Sequence, residues 1–200
     1  MKIVFFGDSI TDANRLREQS NANIRYGCGY VAFAVAKLTE KYNDKYQVVN
    51  RGIGGECTKD LLARFDKDVV SEKPDYLTVL VGANDFWFGL DVFEQRYETL
   101  VSEIKTKLPN VKVILMQPFV LSGTLSDSKN GVYHSIREYA KVVDKIAQKY
   151  NYSYVELQAE LDERAKDYGE ESILYDGIHP NVLGAKILAD RWFEVFENQL

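Results

Sequence analysis

Short runs of apolar, β-favouring residues alternate along the chain with segments in which apolar residues return every three or four positions. The first run, residues 3–6, contains no polar position, which is typical of a strand buried on both faces of a sheet. The clearest helical period lies in residues 92–108. Over the whole chain, these two periods predict five strands, at residues 3–6, 46–50, 76–81, 111–116 and 153–156.

Helical patterns fill most of the sequence between these strands. They predict helices over residues 30–42, 58–71, 92–108 and 134–150, a charged helix that ends near residue 168, and a final helix bearing Leu183, Ile187 and Trp192. Residues 12–28 show no period and predict a loop, which at this length is usually functional or mobile. Strands that alternate with helices form a parallel sheet with helices on both faces. Residues 1–200 are therefore expected to form a single three-layer α/β/α domain with a five-stranded parallel sheet of the flavodoxin-like type.

Composition limits the classes of partner. The net charge is −5 and the basic residues are scattered, which argues against a nucleic-acid-binding surface. No apolar run approaches the roughly 20 residues that a membrane-spanning helix needs, and the first run is too short for a secretory signal. A cytoplasmic location without membrane contact is therefore expected. The two cysteines, Cys28 and Cys57, fit a reducing compartment and give little support to a disulfide or a metal site.

Polar residues follow the first strand directly. Ligands of open α/β sheets bind just beyond the carboxyl ends of the strands, and Ser9 follows Gly7 at such an end. Ser9 is therefore a candidate nucleophile. Serine at a strand-to-helix junction is also a common helix cap or turn residue, and this stretch alone leaves both interpretations open.

A glycine-rich turn, residues 51–55, follows the second strand. Its spacing fits neither the dinucleotide fingerprint nor the P-loop. Gly55 is either part of a plain tight turn or a residue whose backbone N–H points into the crevice at a helix N-terminus, where negative charge is favoured.

A serine nucleophile needs a base, and the chain contains two histidines. His134 opens a predicted helix, where a surface or capping role is the better interpretation. His179 stands three residues after Asp176, so that the carboxylate can reach back to the Nδ1–H of the imidazole and fix its tautomer. A structural histidine packed before Pro180 is the alternative for His179.

Four short motifs stand in one order along the chain: Gly7-Asp8-Ser9, Gly55 in its turn, Gly82-x-Asn84-Asp85 and Asp176-x-x-His179-Pro180. Together they resemble the SGNH (GDSL-type) hydrolase family over nearly the whole chain. The resemblance implies that Ser9 is the nucleophile, His179 the base and Asp176 its orienting acid. It also implies an oxyanion hole made by the Ser9 and Gly55 backbone N–H groups and the Asn84 side-chain amide, with Asp85 as a structural hydrogen-bonding residue.

Further motifs are similar to the intracellular acetyl xylan esterase branch of that family, which removes O-acetyl groups from xylo-oligosaccharides. They are Ser9-Ile-Thr-Asp12, Gly27-x-Gly29-Tyr30-Val31, Val49-Asn50-x-Gly52, Asp60-Leu61 with Arg64 and Asp68-Val69, Lys73-Pro74-Asp75 and Asn84-Asp85-x-Trp87. Two positions depart from the branch, which carries arginine where this chain has Phe88 and tryptophan where it has Tyr175. Both positions would border the acyl or sugar pocket, so the two departures concern the preference of the enzyme for a sugar substrate.

The resemblance implies a serine esterase that hydrolyses small acyl esters, with an acetylated oligosaccharide as the expected substrate and no metal or organic cofactor. Trp87 and Tyr175, grouped with Phe86 and Phe88, are predicted to bind the substrate, because aromatic faces suit sugar rings. The same residues would also suit a protein core or a fatty-acyl groove. A lysophospholipase or thioesterase-type acyl hydrolase is therefore the alternative function.

A non-catalytic, flavodoxin-like binding module is a more distant alternative, because fold does not decide function. The first strand ends in one acidic residue, Asp8, and not in the acidic pair that a receiver domain uses for Mg²⁺. Ile10 and Asp12 stand where a flavin phosphate loop would carry small hydroxyl residues. Relatives of this type often self-associate, so that a homo-oligomer is the expected assembly.

Overall fold

The computed structural model describes residues 1–17, 24–126 and 132–200. Its strands are β1 (Lys2–Gly7), β2 (Gln47–Gly52), β3 (Tyr76–Leu80), β4 (Lys112–Met116) and β5 (Ser153–Val155). They pair in parallel in the order β2-β1-β3-β4-β5, which confirms the predicted five-stranded parallel sheet.

Helices cover both faces of this sheet. They are α1 (Ser9–Asp12), α2 (Tyr30–Tyr42), α3 (Thr58–Asp68), α4 (Leu90–Lys107), α5 (Val132–Tyr150), α6 (Gln158–Tyr168), α7 (Glu170–Ile173) and α8 (Val182–Glu197). Short 3-10 turns occur at Ile24–Tyr26, Asn43–Lys45, Val70–Glu72 and Asp85–Trp87. Within the described ranges, no helix is both long and apolar enough to cross a membrane.

The predicted and observed elements differ in a few places. The helix predicted over residues 58–71 ends at Asp68, and the 3-10 turn that follows it closes at Lys73 in the left-handed conformation. Helices α1 and α7 were not predicted, because four residues are too few to show a helical period. Of the loop predicted over residues 12–28, residues 18–23 lie outside the described part of the chain.

The two faces of β1 supply two separate hydrophobic cores. Ile3 and Phe5 pack in a core with residues of α2 and α8, whereas Val4 and Phe6 pack in a second core with residues of α3, α4 and α5. All four side chains are fully buried. The continuous apolar run at the start of the chain follows from this burial on both faces.

The order of the strands also locates the crevice. The chain passes from β1 to β2 on one side and then returns to β3 on the other side of β1. In an open α/β sheet, such a reversal separates the connections beyond the carboxyl ends of two adjacent strands and leaves a binding crevice there. Ser9 follows the end of β1 by two residues and Asn84 follows the end of β3 by four, so that both stand at the carboxyl ends of these adjacent strands.

Candidate active site

Ser9 is the first residue of α1, and the residue before it caps the helix. The Oδ1 atom of Asp8 accepts a hydrogen bond from the Ile10 N–H at 3.0 Å. Capping is therefore the function of Asp8, and the Ser9 hydroxyl is available for another partner. That partner is His179, whose Nε2 lies 2.9 Å from Ser9 Oγ.

The histidine is held by the carboxylate that the sequence predicted. Asp176 Oδ2 lies 2.7 Å from His179 Nδ1. Its other oxygen accepts the backbone N–H groups of Ile178 and His179 at 2.9 Å and 2.8 Å. Burial by itself raises the pKa of Asp176, but the hydrogen bonds from His179 and Ile178 outweigh burial and hold that pKa below its usual range. The carboxylate is thus charged at neutral pH and can stabilise an imidazolium.

The turn between Asp176 and His179 requires a glycine. Gly177 has a φ of +89°, and a Cβ at this position would collide with the Ser126 side chain. The Ser126 hydroxyl itself donates to the Leu121 carbonyl, and the Leu121 N–H donates to Gly177 at 2.9 Å. Leu121 and Ser126, which follow β4, therefore hold the turn between Asp176 and His179 in place. The sequence patterns did not indicate this role.

The glycine-rich turn after β2 lies against Ser9. The Ile53 N–H donates to the Gly7 carbonyl at 3.1 Å, and the Gly54 N–H donates to Asp12 Oδ2 at 2.9 Å. Gly55 follows with a φ of +81°, a conformation that favours glycine. The turn is thereby tied to both ends of the segment formed by residues 7–12, and Gly54 approaches the nucleophile, since a Cβ on it would lie 3.9 Å from Ser9 Cβ.

Asn84 joins the same turn from the other side. Its Nδ2 donates to the carbonyl of Glu56, the residue after Gly55, at 2.9 Å. Asp85, which is fully buried, accepts hydrogen bonds from the Thr58 N–H and from the Thr58 hydroxyl. Burial raises the pKa of Asp85, and these bonds from Thr58 oppose that rise. The structural role predicted for Asp85 agrees with these contacts.

A cavity of about 200 Å³ opens beside Ser9 and His179. Tyr175 lines it and stacks on the His179 ring, with 5.7 Å between the ring centroids and an interplanar angle of 17°. Cys28, which sequence reasoning did not assign to the site, also lines this cavity. A larger groove of about 460 Å³ runs along β2, and Ser9, His179 and Asp176 do not line it.

The remaining predicted residues lie outside the cavity. Trp87 is 78% exposed and packs against Phe86, and Phe88 lies under the guanidinium of Arg96. The four aromatic residues predicted as one group are thus divided: Tyr175 lies at the cavity, Trp87 and Phe88 at the surface, and Phe86 packs partly buried against the cores. His134 is exposed in the first turn of α5, as predicted.

The two cysteines are free and have separate partners. The Cys28 thiol donates to the Ala13 carbonyl, and Cys57 caps α3 together with Asp60. The disulfide alternative does not apply to this structure.

Known proteins are similar to this chain in sequence and in structure. An acetylxylan esterase from Geobacillus stearothermophilus is 36% identical over 200 aligned residues, which cover 94% of this chain and 90% of the relative. The crystal structure of Axe2, an acetylxylan esterase from that organism, superposes with a TM-score of 0.85 at 35% identity and covers 97% of this chain and 93% of the other. A crystal structure from Parabacteroides merdae, described as a GDSL-like lipase, superposes with a TM-score of 0.92 at 31% identity over 98% of this chain and 95% of the other.

The family itself is matched over most of the chain. Residues 5–187 match the GDSL-like lipase/acylhydrolase family, and that range contains the whole Ser9–His179–Asp176 arrangement. The resemblance seen in the four sequence motifs is thereby confirmed. The chain belongs to the GDSL-like lipase/acylhydrolase family and is a carboxylic ester hydrolase.

Proposed function

We propose that this protein is a serine esterase that removes acetyl groups from carbohydrates through an acyl-enzyme on Ser9. The observation that carries the proposal is the continuous chain of contacts from Ser9 Oγ to His179 Nε2 and from His179 Nδ1 to Asp176, at 2.9 Å and 2.7 Å. These distances are within hydrogen-bond reach, as a nucleophile, a base and its orienting acid require. The similarity to an acetylxylan esterase supports the acetyl ester as substrate.

The first half of the reaction transfers the acetyl group to the enzyme. His179 Nε2 takes the proton of Ser9 Oγ, and this oxygen attacks the carbonyl carbon of the ester. The C–O bond to the sugar then breaks, and the imidazolium returns its proton to the leaving sugar oxygen. In the second half, His179 takes a proton from water, the resulting hydroxide attacks the acyl-enzyme, and acetic acid leaves as Ser9 recovers its proton.

In both halves of the reaction, negative charge develops on the carbonyl oxygen of the ester, and hydrogen-bond donors must stabilise it. The proposed donors are the backbone N–H groups of Ser9 and Gly55 and the side-chain amide of Asn84. The amide has two hydrogens, and only one is needed for the bond to the Glu56 carbonyl, so that the second remains for the oxyanion. Removal of one such donor typically costs about 3 kcal/mol of transition-state stabilisation.

The cavity beside Ser9 is the proposed site of the acyl group. About 200 Å³ accommodates an acetyl group and part of its alcohol, and Tyr175 closes one side of it. We assign Tyr175 to the wall of the acetyl site. Trp87, exposed beside Asn84, is assigned as a platform for a sugar ring farther along the substrate, because a flat aromatic face suits a sugar ring.

A comparison of acyl chain lengths tests the proposal. With p-nitrophenyl esters we expect kcat/KM to be highest for acetate and to fall from butyrate onward, as for an esterase that acts on acetyl groups. Acetate release from acetylated xylo-oligosaccharides should exceed hydrolysis of lysophospholipid and of acyl-CoA. The matched control is Ser9→Ala, which should lose hydrolysis of every ester and keep the wild-type fold.

Two results would contradict the proposed acetyl esterase function. Activity that rises with chain length beyond butyrate would favour the lysophospholipase or thioesterase alternative. The absence of a fluorophosphonate adduct on Ser9, together with the absence of ester hydrolysis, would favour a binding module.

The remaining parts of the proposal concern the whole protein. Residues 1–200 are proposed to act as one catalytic domain in the cytoplasm, where the free Cys28 and Cys57 would stay reduced. Self-association into a homo-oligomer is also proposed, and sedimentation equilibrium measures it directly.

A further inference from the structure

Arg64, on α3, has a side chain that is only 11% exposed, and its guanidinium makes four hydrogen bonds. Nε donates to Glu56 Oε2 at 2.5 Å, and Nη2 donates to the Gly7 carbonyl at 3.0 Å. Nη1 donates to the Arg51 carbonyl at 2.8 Å and to Asp68 Oδ2 at 2.9 Å. The guanidinium also lies over the Phe6 ring, 4.4 Å from its centroid.

These partners belong to the segments that carry the proposed oxyanion donors. Gly7 ends β1 two residues before Ser9, and Arg51 lies one residue before the end of β2, as the first residue of the glycine-rich turn. Glu56 follows Gly55, and its carbonyl accepts the Asn84 amide at 2.9 Å. One cation therefore joins the backbone beside Ser9, the turn that contains Gly55 and the residue that orients Asn84.

We propose that Arg64 is a positioning residue that holds the three oxyanion donors in their working geometry. The inference deepens the esterase function proposed above and rests on it. Arg64 makes no contact with the reacting atoms in this arrangement and acts through Gly7, Glu56 and Asn84. Donors aimed at a developing charge lose most of their effect when they are displaced, and a displacement of about 1 Å is enough to cost about 100-fold in rate.

The planar guanidinium is needed for this role. Its N–H groups point in directions that are held rigidly with respect to one another, so that it can bridge two carbonyls and two carboxylates at the same time. A lysine ammonium at the same position keeps the charge but has three donors on one atom and cannot span these acceptors. Arg64→Lys therefore separates the geometric role of the residue from its charge.

Kinetics of Arg64→Lys with p-nitrophenyl acetate provide the test. We expect kcat to fall by about 10- to 100-fold while KM changes by less than about threefold, because the oxyanion exists only in the transition state. Arg164→Lys is the matched control, since Arg164 is an exposed arginine of α6 that pairs with Glu160 and does not line the cavity. It should leave kcat and KM unchanged.

A double-mutant cycle with Asn84→Ala distinguishes positioning from general support of the fold. If Arg64 acts by orienting the oxyanion donors, its replacement should cost less in the Asn84→Ala background, where one of those donors is already absent. If Arg64→Lys does not fold, the same cycle is measured with Glu56→Gln, which weakens the ion pair with Arg64 and keeps the Glu56 carbonyl.

Two outcomes would overturn the inference while leaving the esterase function intact. One is an unchanged kcat in the variant used. The other is an equal loss of kcat in the wild-type and Asn84→Ala backgrounds, which would assign to Arg64 a purely structural role. A wild-type protein that hydrolyses no ester would refute the esterase function and, with it, the positioning role.

Discussion

Asp8, the residue before the nucleophile, caps α1 and is also a buried carboxyl group. It is fully buried, one of its carboxylate oxygens caps α1, and the other has no hydrogen-bond partner among the described residues. Burial raises the pKa of Asp8 to about 7, and the nearby carboxylates of Asp85 and Glu56 add to the rise. A charged Asp8 is therefore costly to the folded protein, although its capping oxygen is what leaves the Ser9 hydroxyl free.

Because a charged Asp8 is unfavourable in the folded protein, we expect the free energy of unfolding to depend on pH. In the unfolded chain Asp8 has its ordinary pKa of 3.8, so that between this value and about 7 the folded state binds a proton that the unfolded state has lost. The contribution of Asp8 is thus most favourable at acid pH and is lost as the pH rises through about 7. Asp8→Asn keeps the capping oxygen and removes the charge. We expect it to raise the free energy of unfolding by about 2–4 kcal/mol near pH 8 and by much less near pH 5.

Urea unfolding at the two pH values measures this difference. Asp167→Asn removes a carboxylate from the exposed surface of α6 and serves as the control. An equal effect of Asp8→Asn at both pH values would mean that burial does not hold a proton on Asp8.

At the scale of elements, the N-terminus of α3 is bound from two sides. Cys57 and Asp60 form a capping box within the helix, and the carboxylate of Asp85 accepts the Thr58 N–H and hydroxyl from the opposite loop. A carboxylate near a helix N-terminus also interacts favourably with the helix dipole. The start of α3 thereby holds the segment that carries Asn84, the proposed oxyanion donor.

Thr58→Val tests this connection, because valine keeps the shape of threonine and removes the hydroxyl. The buried Asp85 carboxylate then loses a donor, and we expect the free energy of unfolding to fall by about 1–3 kcal/mol. Thr99→Val is the matched control, since the Thr99 hydroxyl donates to the Gln95 carbonyl of its own helix on an exposed surface. Equal effects of the two substitutions in urea unfolding would refute the special role of Thr58.

The elements also show where sequence patterns were sufficient. The period of residues 30–42 predicted α2 with the bounds that the structure shows, because an amphipathic helix records its burial in local spacing. The sequence indicated the buried position of Arg64 less clearly. It lies three residues after Leu61 and one before Phe65, and thus places a charge on the apolar face of α3. Its partners on β1 and β2 could not be predicted, since they are distant in sequence.

At the scale of the whole molecule, stability and chemistry depend on different contacts. Trp192 is fully buried, stacks on Phe196 and donates from Nε1 to the Thr78 hydroxyl at 2.8 Å, which docks α8 on the centre of the sheet. His179 precedes α8, but it is held locally by Asp176 through the ring and the backbone. The docking of α8 and the geometry of the triad are therefore expected to respond separately to mutation.

Trp192→Phe makes this separation measurable. The Thr78 hydroxyl loses its donor and a cavity forms in the core, so that the free energy of unfolding should fall by about 1–3 kcal/mol. Well below the melting temperature, kcat for p-nitrophenyl acetate should stay within about twofold of the wild-type value. A kcat that falls in proportion to the loss of stability would show that α8 docking also sets the position of His179.

The sequence by itself determined the five parallel strands and the chain order of Ser9, Gly55, Asn84, Asp176 and His179, because hydrophobic periods and turn residues are local properties of a chain. Only the tertiary structure decided which of these groups meet. It brought Ser9 within 2.9 Å of a histidine 170 positions away and placed Tyr175, but not Trp87, at the cavity. The physical reason is that such contacts arise from the packing of segments remote in sequence, which leaves no trace in local spacing.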